Sequence, residues 1–240
     1  MLKLYRKNGV LFAVLWIVAY CVVLAPIKGA YGYASPWMLL ALAAFAAAIT
    51  AFVKAGRLEQ KCGLAGWPGD MKRYLYFIPM WVLATGNLWG GIAPSFRGVP
   101  LVIATLSMIL VGYVEEMIFR GFLFRAMLSE ERPVVAIVVS ALTFGIGHIV
   151  NLFAGQASFE TVVQIFFAVS WGFIFTMVFY RGGSLIPCII AHAMIDVFSL
   201  YGADNGLVDR IYIIATILVA IVYCVWLGRL KSADPNDKTE

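Results

Sequence analysis

The chain has 240 residues, of which 62% are hydrophobic and 13% charged, and a net charge of +5. A soluble domain of this length carries about 25% charged residues, so an ordinary soluble fold is excluded, in keeping with a mean hydropathy of +0.90. Several apolar stretches reach the 18 or so residues needed to cross roughly 30 Å of hydrocarbon. The basic excess fits loops facing an anionic inner leaflet and calls for no nucleic-acid partner.

The predicted elements are all helices, and eight spans follow in order: 10–26, 36–53, 74–93, 99–121, 133–153, 161–180, 184–201 and 211–228. The first has the basic flank of a signal peptide. It reads instead as a retained helix, because further spans follow and Trp16 lies in its middle. The longest loop, 54–73, contains LEQKCGLAGWPGD, whose Gly and Pro punctuate a turn. Residues 1–230 read as one membrane domain and 231–240 as a disordered polar tail. Cys21, Cys62, Cys188 and Cys224 form no CxxC pair and read as buried free thiols. Spans one to three and eight hold almost no polar residues and read as packing or a substrate wall. The chemistry is expected among spans four to seven.

Basic residues orient the spans. With the N-terminus inside, all of the 18 Lys and Arg except Lys28, Arg97 and Arg210 fall on the cytoplasmic side. Cytoplasmic loops carry such an excess because basic loops resist translocation. Both termini are therefore expected in the cytoplasm, and the protein in the cell membrane.

Residues 114–124, VEEMIFRGFLF, place two carboxylates and an arginine in an apolar run. Glu116 and Arg120 are four apart, share a helix face and can brace each other, which lipid nearly demands of a charge. Glu115 is rotated about 100° away and has no basic residue at 111, 112, 118 or 119. Its partner must come from elsewhere. The two histidines of the chain, His148 and His192, both lie in predicted spans, and Asp196 lies one turn beyond His192. Counted from the turn near residue 131, Glu115 and His148 each sit roughly 25 Å up antiparallel helices. His192 sits about 15 Å above the turn at Gly182, level with them when the 129–132 turn protrudes. Gly145 and Gly147 would let helices approach closely beside His148.

Three chemistries fit this set. A glutamate can activate water for peptide hydrolysis while imidazoles orient it and stabilise an oxyanion. Glu115, His148 and His192 can bind a divalent metal, although no HExxH helix is present. The same groups can form an ion path, but the repeats and interrupted helix pairs of a secondary transporter are missing.

EEMIFRGFLF at 115–124 resembles the EExxxR motif of the CPBP family, the CAAX proteases and bacteriocin-processing proteins. FGIGH at 144–148 resembles its FxxxH motif, and HAMID at 192–196 its HxxxN/D motif. The resemblance covers about 100 residues and implies an eight-helix intramembrane glutamic endopeptidase, related to the type II CAAX prenyl endopeptidases. It implies that Glu115 activates water with His148 assisting. His192 and Asp196 would line the oxyanion site, and Glu116 and Arg120 would hold the motif helix. No cofactor or metal is implied. The partners would be the bilayer and a membrane-associated peptide or protein, whether a prenylated tail, a pheromone or a bacteriocin leader. Asp196 stands where well-studied CAAX proteases have Asn, and an ionised carboxylate repels an oxyanion. It would act protonated or by orienting His192. Asn151, one turn after His148, offers a replacement amide, with capping or packing as its other reading. The alternative function is a non-catalytic scaffold or bacteriocin-immunity protein on the same fold.

The charge asymmetry makes a prediction. Cysteines introduced at Ser129 and Ser232 should resist an impermeant maleimide in intact cells and react after lysis. Labelling of either from outside contradicts the orientation.

Overall fold

The computed structural model describes residues 1–67, 77–153 and 155–229. The described residues are helical, as a chain in lipid requires, because hydrocarbon offers backbone N–H and C=O groups no other partner. In chain order the helices are α1 (Leu2–Lys7), α2 (Gly9–Tyr31), α3 (Pro36–Gly56), α4 (Ile78–Ala84), α5 (Gly98–Glu116), α6 (Pro133–Gly147), α7 (Ser158–Gly182), α8 (Ile186–Tyr201) and α9 (Gly206–Gly228). Local signals set several ends. The Asn8 side chain accepts from Leu11 N at the start of α2, and Ser35 does the same for α3 ahead of Pro36.

Among the described residues, six helical segments are long and apolar enough to cross a membrane: Gly9–Tyr31, Pro36–Gly56, Gly98–Leu128, Pro133–Leu152, Ser158–Gly182 and Gly206–Gly228. Two of the eight expected spans look different. The seventh is α8, whose 16 residues reach about 24 Å. Of the third, 74–93, the first three residues lie outside the described set. The rest is the short α4, a 3-10 turn at Gly86–Leu88 and an extended stretch. Glycine explains the break. Gly86 packs against the Tyr212 ring, where a Cβ has no room, and Gly91 has φ +111°. The extended stretch then pairs with the end of α8, Ala93 N donating to Tyr201 O at 2.9 Å and Ser95 N to Leu200 O at 2.8 Å. The tail 231–240 and the WPGD end of the 54–73 loop lie outside or at the edge of the described residues.

The fourth span, expected to end at 121, runs on to Leu128 and changes character on the way. From Met117 to Phe124 it is a π-helix, with every residue buried. Such segments are rare, and their looser turn survives here through packing. Phe122 is held among Tyr5, Phe12, Trp16 and Phe52, so α1, α2 and α3 clamp this segment. The fifth span also tightens, from α-helix to a 3-10 turn, at His148.

Glycines set the closest helix approaches. A Cβ on Gly112 of α5 would lie 2.7 Å from Ala193 N of α8, and one on Gly172 of α7 would lie 2.8 Å from Ala141 O of α6. Gly145 likewise abuts Val169, whereas Gly147 has room for a methyl group, its nearest neighbour being Phe119 at 3.8 Å. The first contact matters most for the site. Glu116 is one turn after Gly112, and His192 adjoins Ala193. All four cysteines are free, with Cys62 and Cys188 buried and Cys21 and Cys224 half-buried.

Candidate active site

The structure brings the carboxylates and imidazoles singled out from the sequence to one cavity of about 220 Å³. Glu115, His148, Asn151, His192 and Asp196 line it, and Glu116 and Arg120 are buried outside its lining.

Arg120 is sealed from solvent together with Glu116, and its Nη1 donates to Glu116 Oε1 at 2.8 Å. Its other two nitrogens also donate. Nη2 donates to Gly172 O at 3.2 Å and Nε to Thr176 Oγ1 at 3.4 Å. Its guanidinium carbon lies 4.2 Å from the Phe144 ring centroid. The bare Gly172 serves twice, admitting α6 and offering its carbonyl.

Glu116 does more than brace Arg120. The same Oε1 accepts from His192 Nδ1 at 2.9 Å. A carboxylate beside a guanidinium is an acceptor only, so Nδ1 carries the hydrogen and Nε2 faces the cavity. There Nε2 lies 3.5 Å from Asp196 Oδ2 and 3.7 Å from Glu115 Oε2. The ring is held flat by Phe175, stacked at 5.5 Å, and edge-on by Phe144 at 5.6 Å. Phe144, the first residue of the FGIGH motif, therefore touches Arg120, His192 and His148 at once. His148 is anchored by Nδ1 on the Phe144 carbonyl at 3.1 Å, which leaves its Nε2 free to meet a ligand.

Glu115 finds its partner on α2: the Tyr20 hydroxyl donates to its Oε1 at 2.7 Å. Side-chain exposure runs from 0% at Glu116 through 13% at Glu115 to 24% at Asp196. The two adjacent glutamates thus face opposite surroundings, one a closed ion pair and the other the cavity. The Asn151 amide is engaged on both atoms, accepting from Lys28 Nζ at 2.9 Å and donating to Gln164 Oε1 at 2.7 Å.

Tyr20, Lys28, Tyr33 and Gln164 also line the cavity, and sequence reasoning had passed over them. Lys28 had been counted as an outer-loop residue. It stands on α2, where Tyr20, Leu24 and Lys28 recur every fourth residue along one face. That spacing was the available signal. No group of three or more His, Cys, Asp or Glu side chains among the described residues is arranged to hold a metal ion.

Residues 97–198 match a protein family described as type II CAAX prenyl endopeptidase Rce1-like. The matched stretch carries Glu115, Glu116, Arg120, His148, Asn151, His192 and Asp196, while Tyr20 and Lys28 lie outside it. The match supports the resemblance to the CPBP/CAAX protease family that the motifs carry. No curated protein and no solved structure matches it.

The buried pair makes a prediction. Glu116→Gln or Arg120→Gln alone orphans a charge and should each lower stability by about 3–5 kcal/mol. The double variant should lose clearly less than the sum of the two. Thermal melts of all four proteins in one detergent check this, and additive losses contradict it.

Proposed function

We propose that this protein is an intramembrane endopeptidase of the glutamate type, cleaving peptide bonds of a membrane-associated or lipid-modified peptide. The observation that carries the reading is the unequal setting of Glu115 and Glu116. A sealed carboxylate held by Arg120 cannot meet a substrate. A carboxylate on the cavity wall, with one oxygen held by Tyr20 and the other facing His192 Nε2, can take a proton from water.

In this account a water in the cavity loses a proton to Glu115 while its oxygen attacks the scissile carbonyl. His148, fixed through Nδ1, offers Nε2 as a second acceptor for that water. Charge then develops on the carbonyl oxygen, where His192 meets it as a donor through Nε2–H. Asp196 lies within 3.5 Å of that nitrogen. Its role is to keep a proton on His192 and fix the ring direction, which answers the objection that a carboxylate stands where a donor amide is expected. Collapse of the tetrahedral intermediate passes the proton from Glu115 to the leaving nitrogen. Atoms balance as water adding across one amide. Every step uses the chain's own residues.

The reading includes one membrane domain over 1–230 with both termini cytoplasmic in the cell membrane. It also includes eight crossings, with α8 and the segment around α4 supplying the seventh and eighth.

Glu115→Gln keeps shape and hydrogen bonding but removes the proton acceptor. Cleavage should fall by at least the roughly 10²–10⁴ typical of a lost general base, with the melting temperature little changed. Wild-type activity should persist in excess chelator. Undiminished turnover by Glu115→Gln removes Glu115 as the base, absence of any wild-type turnover favours a scaffold, and zinc-restorable loss on chelation moves the reading to a metalloprotease.

A further inference from the structure

The end of the bundle that carries α1 holds a surface with no part in the chemistry of the cavity. Within the first 69 residues of the chain Glu59 is the one acidic residue. Lys3, Arg6 and Lys7 are exposed on α1, and Lys54, Arg57 and Lys61 are exposed at and just beyond the end of α3. The fold makes one patch of the two groups. Leu2 packs beside Gly56, where a Cβ would lie 2.8 Å from its Cδ2, and the Lys61 ammonium stands 5.0 Å over the Tyr5 ring. Among the described residues none of these six cations pairs with a carboxylate. A general excess of basic loops sets the side of the membrane. It does not explain a short helix whose Leu4 and Tyr5 pack inward while its three cations stay exposed.

Two features call for an anion there. Unpaired like charges gathered on one small surface repel one another and draw counter-charge. The Tyr5 hydroxyl is also buried without a partner, with Lys61 over its ring and Arg125 within electrostatic reach. An orphaned buried donor is costly, and an anionic oxygen beside Lys61 satisfies it. The patch lies where the apolar run of α2 begins and that of α3 ends, which is the level of lipid phosphates. We propose that α1 and residues 54–61 form a docking surface for the headgroups of anionic phospholipids, and that its occupancy steadies the segment bearing Arg120. The route is short. The Tyr5 ring meets Phe12, Phe52 and Phe122 at 5.2, 5.7 and 6.2 Å, and Phe122 belongs to the π-helical segment Met117–Phe124. A lipid that holds α1 in place therefore holds that segment. The inference goes beyond the endopeptidase reading and does not depend on it.

The test needs no cleavage. Short-chain phosphatidylglycerol and phosphatidylcholine of equal chain length are titrated into the full chain in neutral detergent. The proteins are wild type, the triple variant Lys3→Gln, Arg6→Gln, Lys7→Gln, and a control with Arg132→Gln and Arg229→Gln. Wild type should bind phosphatidylglycerol at least about tenfold more tightly than phosphatidylcholine, the scale of a few basic residues at a lipid surface. That ratio should fall towards one in the triple variant and persist in the control. Phosphatidylglycerol should also slow amide exchange over 117–124 in wild type and not in the triple variant. Should the α1 variant not fold, Lys54→Gln, Arg57→Gln, Lys61→Gln reads the other half of the patch with the same expectation. A ratio near one on wild type, unchanged in the triple variant, or lost equally in the control overturns the proposal. Sodium phosphate and a hexaglutamate peptide are run as competitors. Displacement of the lipid by either at a lower concentration than the lipid's own gives the surface to a free anion or to an acidic protein segment, and overturns it too. Selective, patch-dependent binding that leaves exchange over 117–124 unchanged overturns the link to Arg120.

Discussion

The Glu116–Arg120 pair is the contact on which the rest of the site depends. A guanidinium sealed inside an apolar bundle must have its charge and its donors answered in place. The answers come from three helices: the carboxylate on α5, the Gly172 carbonyl and Thr176 hydroxyl on α7, and the Phe144 face on α6. Each can reach Arg120 only if the helices approach closely, which the bare glycines allow. Charge satisfaction and helix packing are therefore one problem here, solved by the same residues.

That arrangement passes directly to the chemistry. Both donors converge on Glu116 Oε1, so the carboxylate that neutralises Arg120 also fixes the tautomer and direction of His192. A ring nitrogen aimed at a cavity by a buried carboxylate on its far side is a common way to orient a histidine. Adjacency in sequence then becomes useful. Neighbouring helix positions point about 100° apart, so one glutamate can serve the buried frame and the next the open cavity. The π-helical turns that follow keep the buried segment Met117–Phe124, Arg120 included, seated against α2 and α3. By this means α2 brings Tyr20 to Glu115.

Much of this was legible in the sequence. The apolar runs marked the long helices, and four-residue spacing marked the Glu116–Arg120 contact. Helix arithmetic put Glu115, His148 and His192 at one level. What escaped has physical reasons. The π-helix at 117–124 is set by tertiary packing around Phe122, and 3.6-residue periodicity carries no trace of it. The segment after 74 has the composition of a span, but Gly86 and Gly91 break it at positions whose demand for glycine arises from Tyr212 and from a turn. Lys28 was assigned to a loop because a charge near the end of an apolar run usually belongs there. On α2 it instead completes a cavity whose other wall lies over 100 residues away. The second role of Glu116, towards His192, needed the partner helix in view.

The central claim is that Glu115 activates water and is not itself the nucleophile, since its oxygens are held by Tyr20 and face His192. A single turnover in ¹⁸O-water, with enzyme in excess over a cleaved peptide, tests it most directly. The account predicts one ¹⁸O in the new carboxyl group of the product and none in the peptide containing Glu115, read by mass spectrometry. Label in Glu115 with an unlabelled product carboxyl would mean attack by the glutamate through an acyl-enzyme, and would contradict the account.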